Sequence, residues 1–337
     1  MTINTIAVWS RRFFRSALVV LMMAALECHL PKLAADEGGA GDYVPGLYAS
    51  LINITPNKPG FAVGAGYLFY SGSGGAGTTL PFGGLLAANV SAELSLADIA
   101  FTYTFCPKIL GAYYTFALSI PYVWVDVKAT ISLNPRLFPG KHGTLSKTVR
   151  DGANGLSDIF ITPFALNWTF GDLQVNPQVF VVAPSGDYQT GVLATPGKNV
   201  WDFDALLGLS YLSHKTGTEF TVFGGFGVST KDTDTDYRNG NAVHAEATLQ
   251  QYLPLSKQTL IGVGANAFYY QQVSGDRGSG ARLGPNEGTD VGVGPVVTLI
   301  NTSPKHPYSV QVKWLPEVYT KNRLNGDWVW VTAGLAF

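Results

Sequence analysis

The chain ends in Trp328-Val-Trp-Val-Thr-Ala-Gly-Leu-Ala-Phe337, a stretch whose residues alternate between two faces. In an extended strand, Val329, Val331 and Leu335 lie on the same face as the terminal Phe337. An alternating strand of about ten residues that ends on phenylalanine is typical of the closing strand of a bacterial outer-membrane β-barrel. The stretch therefore predicts both a fold and a compartment, with Phe337 as the expected signal for the barrel-assembly machinery.

The N-terminus predicts the same compartment. Arg11, Arg12 and Arg15 precede the uncharged apolar run 16–26, and a small-residue site follows at 33–35. This layout is that of a cleaved secretory signal peptide, which we assign to residues 1–35. Loss of these residues removes four of the 22 basic and one of the 23 acidic side chains, so the remaining chain carries a net charge of about −4.

The composition excludes several classes of function. Only 13% of the residues are charged, 12% are aromatic and 39 are glycine. A mildly acidic chain lacks the basic surface that nucleic-acid binding needs. Once the predicted signal peptide is removed, Cys106 is the single cysteine that remains in the sequence, so no internal disulfide is expected. No other apolar run approaches the 18 residues of a transmembrane helix, which leaves a large β domain or a membrane barrel.

Alternating segments recur along the rest of the chain, and the connectors between them are in general alternately short and long. Twelve are predicted as strands: 61–70, 89–105, 111–127, 157–170, 173–183, 200–212, 217–230, 241–253, 258–272, 289–301, 307–321 and 328–337. An even count with short and long connectors is typical of a bacterial barrel. The connectors 71–88 and 128–156 are the longest predicted loops.

The faces of these strands favour a barrel in lipid over a soluble sandwich. One face of each strand is apolar and the other is polar, and the strands run ten to seventeen residues against a mode of about five to six in globular proteins. Aromatic residues near strand ends, including Trp328 and Tyr252, resemble an interfacial girdle. We predict an all-β fold, a transmembrane antiparallel up-and-down β-barrel of about 12 strands at 61–337, after a cleaved signal helix. Residues 36–60 are predicted as a periplasmic or lumenal segment.

Spaced motifs along the chain resemble one family. They are Gly155-Leu-Ser-Asp158 with Pro163, Ala183-Pro-Ser-Gly-Asp-Tyr188, Trp201-Asp-Phe203, Asp236-Tyr-Arg-Asn-Gly240 with His244, Tyr269-Tyr-Gln-Gln272, Asp276 and Val293-Gly-Pro295. The chain resembles, from about Gly60 to Phe337, the outer-membrane proteins of the meta-cleavage pathway of phenol degradation, also called SphA-like. The resemblance implies a barrel that passively transports small hydrophobic or aromatic compounds.

The inward face of the predicted barrel supplies the candidate functional residues. The predicted pore-lining residues are Asp98, Tyr113, Asp202, Asp204, Glu219, His244, Glu246, Phe268, Lys313 and Glu317. Acids outnumber bases in this set, which predicts a preference for neutral or cationic solutes. Either loop 128–156 or the N-terminal segment is expected to fold into the lumen, with a loop lying over the barrel mouth as the alternative for the loop.

Catalytic and metal-binding patterns are weak, and no catalytic residue, metal or cofactor is predicted. His244 and Glu246 are expected to form a hydrogen-bonded pair in the lumen wall, because no serine is placed beside them by sequence. The acids of 231–236 are expected to be solvated and bridged to lipopolysaccharide, since the loop lacks the pattern of a calcium-binding EF-hand. The alternatives to transport are a barrel enzyme acting on lipid and a structural barrel. The expected partners are outer-membrane lipid, lipopolysaccharide and small hydrophobic solutes.

Overall fold

The computed structural model describes residues 43–48, 50–74, 79–82, 85–133, 145–281 and 287–337, so the predicted signal peptide lies outside the described residues. Most of this part is strand. The strands are β1 (Gly60–Ser73), β2 (Thr79–Phe82), β3 (Leu85–Ile109), β4 (Ala112–Leu133), β5 (Leu145–Leu156), β6 (Ile159–Phe170), β7 (Leu173–Ala183), β8 (Asp202–Leu212), β9 (Thr218–Ser229), β10 (Ala242–Pro254), β11 (Thr259–Gln272), β12 (Thr289–Asn301), β13 (Tyr308–Lys321) and β14 (Asn325–Ala336). A 3₁₀ turn covers Leu51–Asn53.

Twelve of these strands close into an antiparallel ring. Each ring strand pairs with its neighbour in the chain, and the ring closes where β1 pairs with β14, with Ala62 opposite Ala336 and Tyr70 opposite Trp328. Closure removes both free sheet edges, so every strand backbone has partners on two sides, as the hydrocarbon of a membrane requires. The predicted 12-strand barrel is confirmed.

The two longest predicted loops are partly strand, and the prediction was wrong there. β2 pairs with the start of β3, and β5 pairs with the far half of β4 from Tyr122 to Leu133. β5 continues into β6 after a break at 157–158, and β6 pairs with the near half of β4. The barrel wall is therefore extended on this side beyond the height of the other strands. The remainder of loop 128–156, residues 134–144, lies outside the described residues.

The outward face of the barrel is apolar. Val331, Leu335 and Phe337 are 42%, 37% and 62% exposed and lie on the lipid side, as the alternation predicts. Trp328 and Tyr252 were predicted for the interfacial girdle, and this was wrong: each is 4% exposed and points into the barrel. Among the described residues no helix is long and apolar enough to cross a membrane.

Candidate functional site

The barrel interior is occupied by the chain's own N-terminal segment, described at residues 43–48 and 50–59. Its first turn is fixed by the carboxyl group of Glu246 on β10, which accepts hydrogen bonds from the Tyr43 hydroxyl at 2.5 Å, the Gly46 amide at 2.9 Å and the Tyr48 amide at 3.2 Å. Glu246 is 1% exposed. Three donors on one buried carboxyl group satisfy an acid that is costly to bury alone.

The carbonyl groups of the same turn are bound from a second part of the wall, three strands away from β10 around the ring. The Lys313 ammonium on β13 donates to the carbonyl oxygens of Gly46 at 2.8 Å and Tyr48 at 2.7 Å, and the Trp330 indole donates to Pro45 O at 2.8 Å. Gly46 has φ +88°, a conformation that glycine adopts without a steric penalty. The turn is therefore held at both its amides and its carbonyls by wall residues.

The segment stays in contact with the wall as it runs toward the short-turn end of the barrel. Ser50 Oγ accepts a hydrogen bond from Gln311 at 2.9 Å, and the Leu51 amide donates to Glu219 at 2.5 Å. Asn176 donates to Thr55 Oγ1 at 2.9 Å. These contacts come from β13, β9 and β7, so the segment is bridged across the lumen at several heights.

A group of stacked rings lies at the level of the first turn. Tyr43 stacks on His244, with ring centroids 4.2 Å apart, and on Tyr270, with centroids 5.9 Å apart and planes within 5°. Tyr48 continues the stack beyond His244 and packs on Phe223 at 5.7 Å. The stack joins two tyrosines of the N-terminal segment to rings of β9, β10 and β11.

Two cavities lie on either side of this turn. The outer cavity, toward the long-loop end, is lined by Tyr43, Phe160, Phe180, Asp204, His244 and Tyr270 among others. Its volume of about 40 Å³ is room for about three water molecules, at roughly 10–15 Å³ each. The inner cavity, toward the short-turn end, has a volume of about 580 Å³. Leu47, Tyr48 and Phe180 line both cavities and form the partition between them.

Residues 184–201, here called the lid loop, cover the interior at the long-loop end. Leu193 and Ala194 belong to the buried core beneath the extended β3–β5 wall, and their amides donate to Asp151 at 2.9 and 3.2 Å. Asp158 accepts from the amides of Ser185, Gly186 and Lys198 at 2.8–3.1 Å. Among the described loops, the lid loop is therefore the one that folds inward. The sequence feature that could have indicated this is the apolar pair Leu193-Ala194 inside a Gly/Pro-rich stretch.

The lid loop is also held by the acidic loop 230–241. Asp232 accepts hydrogen bonds from Tyr188 at 2.5 Å and Asn199 at 2.8 Å. Burial alone raises the pKa of Asp232, but these bonds, with those from Thr235 and the Asp234 amide, outweigh burial and lower it below its usual range. Asp236, predicted as a solvated acid, binds Lys231 at 2.8 Å, and this pairing lowers its pKa strongly. In the described part of the chain, no group of three or more histidine, cysteine or acidic side chains is placed to hold a metal ion.

The structure places the ten predicted pore-lining residues on the interior face. Seven are buried there: Asp202, Glu219, His244, Glu246, Phe268, Lys313 and Glu317. Asp98 and Asp204 line the inner and outer cavities, and Tyr113 shares the inward face of buried Thr115 on β4. Their role in lining a conducting path stays a prediction, because Glu219, Glu246 and Lys313 bind the N-terminal segment.

The predicted His244–Glu246 pair is wrong. His244 Nε2 lies 2.7 Å from Asp204 Oδ2 on β8, the strand beyond the neighbouring β9, while Glu246 binds Tyr43. Residues two apart on a strand share a face but are separated along it, so each finds a partner across the sheet instead. Glu317 is likewise occupied, by the Trp328 indole and the Gly326 amide, both at 2.6 Å.

Comparison with known proteins supports the fold and gives the family. The structure is similar to the COG4313 outer membrane channel from Pseudomonas putida F1, with a TM-score of 0.59 and 12% identity over 88% of this chain and 100% of that one. Weaker similarities are to the beta domain of the Bordetella autotransporter BrkA (TM-score 0.47, 10% identity, 83% and 99% coverage) and to a Pseudomonas aeruginosa FadL homologue (0.40, 8%, 91% and 97%). No curated protein sequence matches this chain significantly.

The family comparison covers most of the barrel. The family model described as "Putative MetA-pathway of phenol degradation" matches residues 71–333, which is more than three quarters of the chain. The match begins inside β1 and ends inside β14, so it spans the closed ring rather than one motif. The chain is an outer-membrane β-barrel and belongs to this phenol-degradation family.

Proposed function

We propose that the protein is a passive outer-membrane channel for the uptake of small hydrophobic or aromatic compounds. The observation that carries the proposal is the pair of cavities inside the barrel, which share Leu47, Tyr48 and Phe180 as lining residues. Two of these three residues, Leu47 and Tyr48, belong to the N-terminal segment, which is held against the lumen wall by noncovalent contacts. Displacement of a few side chains would join the cavities into one path.

The chemistry of the walls suits a neutral aromatic solute. The outer cavity is lined by the rings of Phe160, Phe180 and Tyr270, and aromatic rings favour offset and edge-to-face contacts with other rings. Below the partition, the inner cavity is lined largely by small residues of β1, β3 and β14, such as Gly64, Ala100 and Gly334. A solute would thus pass from a ring-selective site to a wider and less specific compartment.

The N-terminal segment would set how often the path is open. Its amides and carbonyls bind Glu246 on β10 and Lys313 on β13, so the closed state is stabilised by contacts that need no bound solute. Hydrogen bonds to charged groups contribute about 1.5–3 kcal/mol each. The sequence carries no nucleotide-binding motif, and the proposal is diffusion down a gradient without energy coupling of its own.

The competing functions make different demands on the interior. An enzyme acting on lipid needs a nucleophile in hydrogen-bond reach of a base. The other nitrogen of His244, Nδ1, has no hydrogen-bond partner among the described residues, and the imidazole lies in the lumen rather than on the lipid face. We therefore propose transport without catalysis. A purely structural barrel would show no solute flux.

Uptake into vesicles tests the proposal. Vesicles with a lipopolysaccharide-bearing outer leaflet are loaded with tyrosinase, whose coloured product reports phenol that has crossed the membrane. The rate is compared with and without the barrel, and with Phe180→Ala in the barrel. Phe180→Ala removes a ring from the partition, and we expect phenol uptake to rise by about threefold or more over the unmodified protein.

The matched control is Phe220→Ala, which removes a ring that is 49% exposed on the lipid face. Its uptake rate should equal that of the unmodified protein. Equal rates in vesicles with and without the barrel would favour the structural alternative. Release of fatty acid from the vesicle lipid, abolished by His244→Ala, would favour the enzyme.

A further inference from the structure

The side chain of Tyr43 carries a phenol group, and this group is bound in a site formed by residues of the barrel wall. Its ring stacks on His244 and on Tyr270, and its hydroxyl donates to Glu246 at 2.5 Å. The ring is 5% exposed, so the site encloses it almost completely. His244, Tyr270 and Glu246 lie on the adjacent strands β10 and β11, whereas Tyr43 belongs to the N-terminal segment.

The three wall residues form a site that does not depend on Tyr43. Their positions are set by the register of β10 and β11, which pairs His244 with Tyr270 and Glu246 with Phe268. Asp204 accepts a hydrogen bond from His244 Nε2 at 2.7 Å and so orients the imidazole. Arg323 lies over the ring of Tyr270, 4.3 Å from its centroid. The site formed by His244, Tyr270 and Glu246, here called the clamp, is thus supported by residues outside the N-terminal segment and would persist when the segment withdraws.

We infer that this clamp is a binding site for a phenolic solute and that Tyr43 occupies it as an internal competitor. The inference rests on the proposed function and names the solute class: one aromatic ring that carries a hydroxyl donor. A solute in the clamp would stack on His244 and Tyr270 and donate its hydroxyl to Glu246. It would thereby release the first turn of the N-terminal segment, so binding and opening are coupled.

Two spare acceptors beside the clamp favour a hydroxylated ring over a hydrocarbon. His244 Nδ1 and Asp204 Oδ1 are buried and have no hydrogen-bond partner in the part of the chain that the structure describes. Since Nε2–H is donated to Asp204, Nδ1 of a neutral imidazole is an acceptor. An unpaired buried acceptor is costly, and a second hydroxyl on an arriving ring, besides the one that donates to Glu246, would remove that cost. Toluene has the ring but offers no such donor.

The outer cavity gives access to the clamp. Tyr43, His244 and Tyr270 all line it, and its present volume of about 40 Å³ is smaller than a benzene-binding cavity of about 150 Å³. A second ring therefore does not fit beside Tyr43. The solute must replace the tyrosine ring, which makes the two mutually exclusive.

Calorimetric titration of the purified, detergent-solubilised full-length barrel with phenol tests the inference. Removal of an internal competitor raises the fraction of binding-competent protein, and the apparent Kd falls by that factor. We expect Tyr43→Ala to tighten phenol binding by at least about tenfold. Tyr43→Phe keeps the ring and loses the bond to Glu246, so it should tighten binding by a smaller factor. Tyr67→Ala, which removes a lipid-facing tyrosine, should leave the apparent Kd unchanged.

A second comparison isolates the hydroxyl. In the Tyr43→Ala background, Glu246→Gln should weaken phenol binding by about fivefold or more and leave toluene binding unchanged. Heat-modifiable migration on gels checks that each variant is folded, and Tyr43→Phe, the smallest change, decides the matter if Tyr43→Ala does not fold. Phenol affinity that is the same with and without the Tyr43 hydroxyl would overturn the inference. Phenol flux through a barrel whose phenol affinity does not depend on the Tyr43 hydroxyl would contradict the competitor role of Tyr43 and leave the proposed channel function standing. Phenol binding that depends on Tyr43, without any phenol flux, would support the binding site and contradict the channel function.

Discussion

The ring centroid of Tyr43 lies 4.2 Å from that of His244, and the two planes are inclined by 22°. The two residues are separated by 201 positions in the sequence, and both line the outer cavity. The N-terminal segment, and not the barrel wall alone, therefore forms a boundary of this cavity. Changes in the N-terminal segment should therefore alter permeation while leaving the barrel folded.

Gly46→Ala should open the channel. The residue has φ +88°, where an L side chain costs about 1–2 kcal/mol, and an added Cβ would lie 2.6 Å from the Trp330 indole nitrogen and 2.8 Å from Leu315. Planar-bilayer recording should show an open probability at least about fivefold higher than that of the unmodified protein.

Gly191→Ala is the matched control for that substitution. Gly191 also has a positive φ, of 78°, but nothing lies within 4 Å of an added Cβ. Its open probability should stay at the unmodified level. If both alanine variants raise the open probability by the same factor, the cause is backbone strain at a positive φ and not the loss of the docked first turn.

Lys313→Met should also favour the open state. The substitution keeps the length of the side chain but removes both hydrogen bonds to the carbonyls of Gly46 and Tyr48. At about 1.5–3 kcal/mol for each bond to a charged donor, the closed state should lose at least about tenfold in relative population. Single-channel recording measures this ratio directly. Lys321→Met, at the exposed end of the same strand, should change nothing; a similar effect from both would contradict the assigned contacts.

The lid loop should loosen in acid. Because the pKa of Asp232 is lowered in the folded loop, its contribution is fully present above the ordinary aspartate range and is lost as the pH falls through the lowered pKa. Hydrogen–deuterium exchange, corrected for the intrinsic rate, should rise in peptides 184–201 between pH 7 and pH 3. Asp232→Asn should raise it already at pH 7. Asp234→Asn, at an exposed acid of the same loop, should behave like the unmodified protein.

The ring of strands could be predicted from the sequence because a strand with one face in lipid and one in the lumen must alternate. The same alternation places Trp328 with Thr332 and Tyr252 with Glu246, so their inward direction was available and was overridden by an expected aromatic girdle. The extended β4–β5 hairpin was missed because a strand outside the membrane needs no apolar outer face. Its polar face, with Arg150 and Asp126 paired at 2.9 Å, resembles a loop.

The partners in the lumen could not be predicted. Alternation shows that Glu246 and Lys313 point inward, but it carries no information on which segment meets them. Contacts such as Tyr43–Glu246 and Gly46–Lys313 join positions 203 and 267 residues apart. The inward acids therefore predicted a wall that prefers neutral or cationic solutes, whereas Glu246 and Glu219 bind backbone amides of the N-terminal segment. Any selectivity belongs to the path that remains beside that segment.

A reversible tether tests most directly whether the N-terminal segment controls permeation. Ser50→Cys and Gln311→Cys, in a Cys106→Ser background, place thiols where the Ser50 hydroxyl and the Gln311 amide are 2.9 Å apart. A short disulfide-forming cross-linker then joins the segment to β13. Phenol uptake into tyrosinase-loaded vesicles should fall to the barrel-free rate when the tether is formed and recover when it is reduced. Uptake that is the same in both states would contradict the account.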